Sequence, residues 1–203
     1  MTFAPLHFIA SLPLARSASR FARWMRACAF AFTALTLLPA HAEGIDVKSA
    51  ALVQDDDGWH LDAQFDVQFS PRLEEAVNRG VPLYFVVEFE LSRPRWYWFD
   101  EKPIQLTQTY RITYTPLLRQ YRLSMGSAYQ NFTRFDEVTR VLSRIRDWHV
   151  ADKGAIKLDG PYQASVRMRL DTAQLPKPFQ LNAIASKDWA PASEWYRWSI
   201  DNR

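Results

Sequence analysis

The sequence predicts a mainly β protein: an antiparallel β-sandwich, immunoglobulin-like in architecture, of about eight to ten strands with one or two short peripheral helices. Three observations predict it. Several runs alternate apolar and polar residues at every step; acidic, glycine and proline turns separate them; and only two stretches combine a helix cap with helical spacing. A half-open barrel satisfies the same pattern and stands as the alternative.

Taken in order, Ile45, Val47, Ala51 and Val53 alternate loosely, and Asp55-Asp56-Asp57-Gly58 turns the chain into a second strand. There Trp59, Leu61, Ala63, Phe65, Val67 and Phe69 are apolar while His60, Asp62, Gln64, Asp66 and Gln68 are polar, so one face is buried and the other wet. Ser70-Pro71 opens a short helix: serine can cap it, proline suits its first position, and Gly80 ends it. Residues 81–91 are nearly all apolar, as in a central strand covered on both faces. Arg93-Pro94-Arg95 interrupts, and Trp96 to Phe99 resumes as an aromatic strand.

Ile104, Leu106, Tyr110, Ile112 and Tyr114 alternate with polar residues, a turn follows near Pro116, and Tyr121, Leu123 and Met125 continue. Thr133 and Asp136 stand at capping-box spacing ahead of a second helix. Phe135, Val138, Leu142 and Ile145 line one side of it, with Asp136 and Arg140 paired on the other. Tyr162, Ala164, Val166, Met168 and Leu170 form a one-sided strand. Leu175-Pro176-Lys177-Pro178 reads as a rigid crossover, because proline lacks the donor a central strand needs. Phe179, Leu181, Ala183 and Ala185 suggest the next strand, and residues 195–200 the last.

Residues 1–42 read as an export signal rather than as fold. Arg16, Arg20, Arg23 and Arg26 precede a 12-residue, largely apolar run from Ala27 to Leu38, which Pro39 and the small-residue triplet Ala40-His41-Ala42 follow. That run falls short of the roughly 20 apolar residues a membrane span needs. Cleavage after Ala42 is therefore expected, leaving residues 43–203 as one domain; an uncleaved signal, tethering the domain to the inner membrane, is the alternative. Met25 offers a second start, with an 18-residue signal.

Cleavage reverses the apparent charge. All 22 acidic residues stay while four of 25 basic residues leave, so the formal charge falls from +3 to −1. The basic balance thus belongs to the signal, and neither nucleic acid nor an anionic membrane is an expected partner. The single cysteine, Cys28, leaves too, which excludes disulfides, thiolate catalysis and cysteine metal sites from the remaining domain.

No constellation announces an enzyme. The Asp55-Asp56-Asp57-Gly58 turn lacks the loop length and terminal glutamate of a calcium-binding helix–loop–helix and reads as solvated. His60 and His149 are the only histidines after residue 42, and no paired-histidine ligand spacing exists. Gly126-Ser127 lacks the following glycine of a nucleophile elbow. No catalytic residue, metal or cofactor is expected.

Aromatic residues carry the stronger signal. In Arg93-Pro94-Arg95-Trp96-Tyr97-Trp98-Phe99, alternation sets Trp96 and Trp98 on one face. Either they seal the end of the sandwich, or an exposed tryptophan pair flanked by Arg93 and Arg95 forms a binding platform. Trp195 and Arg197 share a face of the last strand, and Arg167 and Arg169 share the wet face of theirs. If those strands are neighbours, guanidinium should stack on indole.

Gly80-Val81-Pro82-Leu83-Tyr84-Phe85, the RPRWYWFD stretch at 93–100, Tyr121-Arg122-Leu123, Arg146-Asp147-Trp148, Leu175-Pro176-Lys177-Pro178-Phe179 and Asp188-Trp189 together carry a resemblance. Across the whole expected domain the sequence resembles an uncharacterised proteobacterial family of small exported proteins, a domain of unknown function sometimes called proline-rich signal-peptide proteins. The resemblance implies export and a genetic neighbourhood with a nitrogen-regulation-type sensor kinase, a lead towards a partner. It implies no activity and no ligand.

The expected function is a non-catalytic periplasmic binding or accessory module that contacts another envelope protein. The alternative is a carrier of a small apolar, lipid or glycan ligand. An envelope-polymer hydrolase would need two of Asp62, Asp66, Asp100 and Glu101 within about 5–10 Å.

Overall fold

The computed structural model describes residues 44–93, 101–156 and 160–200. Two antiparallel sheets form a sandwich, as the alternation predicts. The smaller sheet has the order β1(Gly44–Gln54)–β2(Gly58–Gln68)–β7(Arg144–Asp152). The larger has the order β6(Ala128–Phe132)–β5(Gln120–Met125)–β4(Glu101–Thr115)–β3(Leu83–Arg93)–β8(Tyr162–Leu170)–β9(Tyr196–Ile200).

The core lies where three strands cover the middle of six. Leu61, Ala63 and Phe65 of β2 face Leu83, Phe85, Val87, Phe89 and Leu91 of β3, with Ala164, Val166 and Met168 of β8 beside them, all buried. Removing a side chain the size of Phe85 or Leu83 from water contributes about 1.5–3 kcal/mol each. The prediction that β3 is covered on both faces holds in part: Val86 and Ser92 are buried on its second face, whereas Tyr84, Glu88 and Glu90 are half-buried.

Helix α1(Pro71–Asn78) forms as its residues predict. The Ser70 hydroxyl accepts from the Leu73 N–H and donates to the Asp188 carbonyl at 2.9 Å, Pro71 begins the helix, and Gly80 follows it at φ 87°. Helix α2(Phe135–Leu142) buries Phe135, Val138 and Leu142 against the sheets. It starts one residue later than the predicted cap, because Glu137 rather than Asp136 accepts from the backbone N–H groups of Thr133 and Arg134. Asp136 pairs with Arg134 and with Arg140 instead. Ile145, expected on this helix, belongs to β7, since the helix stops at Leu142 and the chain turns extended.

The strand expected over 179–185 is a helix, α3(Lys177–Ala185). Proline cannot enter a sheet interior but suits a first helical turn, so Pro176 and Pro178 start the helix rather than rigidify a crossover. It buries none of its residues, and Leu181 and Ile184 stand in solvent. Two three-residue 3₁₀ turns, Thr172–Gln174 and Lys187–Trp189, flank it. Among the described residues no helix is long and apolar enough to cross a membrane. The expected signal (1–42) and the Trp96 to Phe99 strand lie outside the described residues.

Candidate functional site

The smaller sheet leaves part of the larger one uncovered, and there a groove of about 540 Å³ opens between β7 and the β4–β5–β6 strands. Its apolar lining includes Tyr110, Leu123, Met125, Tyr129, Val141 and Trp148. Met125, Tyr129 and Val141 are exposed. Arg144, Arg146, Asp147 and His149 of β7, with Gln108 and Gln130, supply the polar rim. Burial pushes the Tyr110 phenol up to about 12. The Gln108 Oε1 is buried with no hydrogen-bond partner among the described residues, an acceptor that a bound N–H would satisfy. A second cleft of about 720 Å³ runs beside α2, and most of its charged side chains are paired with one another or with Lys48: Asp136 with Arg134 and Arg140, Asp66 with Lys48.

The predicted site residues fall in separate places. Arg93 ends β3, half-buried, with its guanidinium 5.7 Å from the Tyr162 ring centre. Arg95, Trp96 and Trp98 lie outside the described residues. Trp195 is half-buried with Arg167 over its ring at 4.4 Å, the stacking that neighbouring strands predict; Arg197 stands exposed opposite Ser165. Tyr162 and Arg167 are five residues apart on β8, about 17 Å, so Arg93 and Trp195 do not share one site.

Beside Trp195 the same face of the larger sheet carries an ion-pair array. Arg167 and Arg169 both donate to Glu88, the latter at 2.9 Å. Burial raises the Glu88 pKa, but the hydrogen bonds and charges of the two arginines outweigh it and hold the carboxyl below its ordinary value. This array is fully paired and reads as structure.

One correction concerns His60, expected on the wet face of β2. It is 8% exposed. β7 joins β2 on that side, pairs His149 with His60, and brings the rings to 5.2 Å edge-on. Asp55 and Asp57 of the preceding turn lie on Nε2 at 3.3 Å each, and Asp147 lies on Nδ1 at 2.8 Å. Asp147 has φ 53°, a conformation held by its N–H, which donates to the Asp62 carboxylate at 2.9 Å. Burial lowers the His60 pKa, yet Asp55, Asp57 and Asp147 together hold it above the ordinary histidine value. The missing signal lies in β7, whose residues do not alternate cleanly and so carry no strand pattern in the sequence.

The carboxylates of the hydrolase reading do not form a pair. Asp62 and Asp66 sit four residues apart on β2, about 13 Å, each engaged elsewhere. Asp100 and the Glu101 side chain lie outside the described residues.

The fold and groove define a small two-sheet β-sandwich with an open trough lined by apolar and charged side chains. A protein-family model named Domain of unknown function (DUF4390) matches residues 42–199, and the chain belongs to that family. Comparison with curated proteins and with solved structures finds no match in either set.

Proposed function

We propose that the chain is an exported, non-catalytic binding module that docks another envelope protein through the groove between β7 and the β4–β5–β6 strands. The observation that carries this reading is the juxtaposition of exposed Met125, Tyr129 and Val141 with Arg144 and Arg146, apolar side chains beside a charged rim in which two arginines outnumber Asp147. It suits a segment bearing an apolar anchor beside acidic residues. Recognition by face rather than by strand addition follows from the sheet edges. β1 and β7 carry register irregularities, and β6 and β9 are five residues long, which are devices that discourage edge pairing.

A carrier of a small apolar or lipid-like ligand is the second reading, because about 540 Å³ lies within the range of small-molecule sites. The signal at 1–42 and the resemblance to small exported proteins support the envelope location.

The test is photo-crosslinking in cells with a photoreactive residue at Tyr129 or Val141, and at Gln64 on β2 as control. A discrete protein adduct from the groove positions, lost on Arg146→Glu, is expected. No adduct from an exported, folded chain, with a lipid co-purifying instead, overturns docking in favour of the carrier.

A further inference from the structure

We infer that one end of the sandwich, built from the β4–β5 turn and α3, seats on the surface of a lipid bilayer, with Leu117, Leu118, Leu181 and Ile184 entering its interfacial layer. This surface lies apart from the groove and does not depend on the groove reading.

Exposure is the first observation. Leu117 is 92% exposed and Ile184 85%, Leu181 and Leu118 follow, and among the described residues no other large aliphatic side chain is as exposed as these four. The fold gathers them. The β4–β5 turn follows Thr115, at the end of β4 where Ile112 pairs with Leu83, the first residue of β3. β8 ends beside it, with Leu170 opposite Phe85, and leads through Thr172–Gln174 into α3. β4 and β8 flank β3, so about 10 Å separates them.

None of the four is needed for packing. α3 turns Phe179 and Ala183 towards the core, which leaves Leu181 and Ile184 on the opposite face with Lys177. In the β4–β5 turn the Leu118 N–H donates to the Thr115 carbonyl and the Arg119 N–H to the Pro116 carbonyl. Turn tips ordinarily carry glycine, asparagine, aspartate or serine. This closed turn instead holds two leucines out into solvent.

Where the chain enters the domain says what covers them. Gly44 pairs with Gln68, and Ser70 caps α1, whose Asn78 accepts from the Tyr121 hydroxyl just past the β4–β5 turn. Residues 1–43 therefore join the domain at this same end. Five residues separate Leu38, the last of the apolar run, from Gly44, and they span at most about 20 Å. With that run in a bilayer, this end faces the surface, while Asp55, Asp56 and Asp57 in the β1–β2 turn lie at the far end of β1. Arg72 pairs with Asp188 and Arg79 with Glu75, and Glu74 stands against Arg119 and Lys177, so the end is close to neutral. Its attachment is by apolar burial rather than by lipid charge.

The experiment uses the full-length chain carrying Cys28→Ser, reconstituted into phosphatidylcholine vesicles, with an environment-sensitive fluorophore on Leu117→Cys, Leu181→Cys or Val53→Cys. Val53 is exposed and lies about 30 Å along β1 from Gly44. Labels at 117 and 181 should shift to the blue and be quenched by spin-labelled lipid, at low and high salt alike, while the label at 53 stays in water. Leu181→Ser with Ile184→Ser, which removes no buried side chain, should fold normally and reduce the quenching at 117. Labels that stay in water at 117 and 181, or equal quenching at all three positions, overturn the inference. Quenching lost at high salt overturns apolar insertion, and a blue shift without vesicles that grows with protein concentration assigns the patch to a second copy of the chain instead.

Discussion

Glu88 and Arg167 face each other across the β3–β8 register, and the guanidinium that pairs with the carboxylate also covers the Trp195 ring at 4.4 Å. One cation thereby fastens three neighbouring chain segments. Glu88→Gln removes the negative charge from between two half-buried guanidiniums and should cost about 1–3 kcal/mol, measured by urea denaturation. The pH dependence has a definite sign. Because the folded Glu88 carboxyl titrates below its ordinary value, its contribution is complete above the unfolded value and is lost as pH falls through the folded one. The Gln variant should lose that part of the acid dependence.

Arg167→Ala leaves Glu88 its bond from Arg169 but uncovers Trp195. The expected cost is about 1–2 kcal/mol, with a red shift in tryptophan emission as the indole meets water. An unshifted spectrum would mean that Trp195 is held by something other than the guanidinium.

Ser70 works in two directions, capping α1 and holding the Asp188 carbonyl. Ser70→Ala should cost about 1–2 kcal/mol, at the upper end of a cap substitution, and hydrogen exchange should quicken both in α1 and around residues 187–189.

Gly58 permits the close approach of β2 and β7. A Cβ there would lie 2.2 Å from the Ala151 carbonyl oxygen, a backbone atom that cannot swing aside. Gly58→Ala should destabilise the domain by about 1–3 kcal/mol and loosen the amides of β7 first in hydrogen exchange.

Tyr110 reports on the groove. Spectrophotometric titration should show one tyrosine resisting ionisation until about pH 12. Its burial favours the neutral phenol, so the stability it contributes is intact below pH 10 and is lost as pH rises towards 12. Tyr110→Phe should flatten that alkaline limb.

Strands with one wet face were legible residue by residue: the alternation of Trp59 to Val67 and of Tyr162 to Leu170 maps directly onto β2 and β8. Where an element is exposed all round, or its apolar residues are irregular, the pattern had nothing to report. β6 is almost wholly exposed, β7 is interrupted by two bulges, and α3 buries no residue fully, laying only Phe179 and Ala183 partly against the core, so Phe179 to Ala185 mimic a strand by chance alternation. The Arg167–Trp195 stack follows from the pairing of β8 with β9, although Trp195 stands one residue before β9 rather than on it. The His60 cluster was not legible, because it depends on which strand joins β2 from 85 residues away. Sequence spacing between histidines says little when pairing across a sheet places them opposite each other.

The pairing of β3 with β8 has a consequence in time. Synthesis releases the chain from its N-terminus, and β3 precedes its partner across the Glu88–Arg167 pair by 79 residues. The β1–β2 hairpin can close early, while β3 and β4 must wait with one edge bare until Tyr162–Leu170 emerges. During that interval Phe85, Val87 and Phe89 lack half of their cover. A chain halted before β8 presents an aggregation-prone ribbon, and any factor escorting this protein has its work to do in that interval.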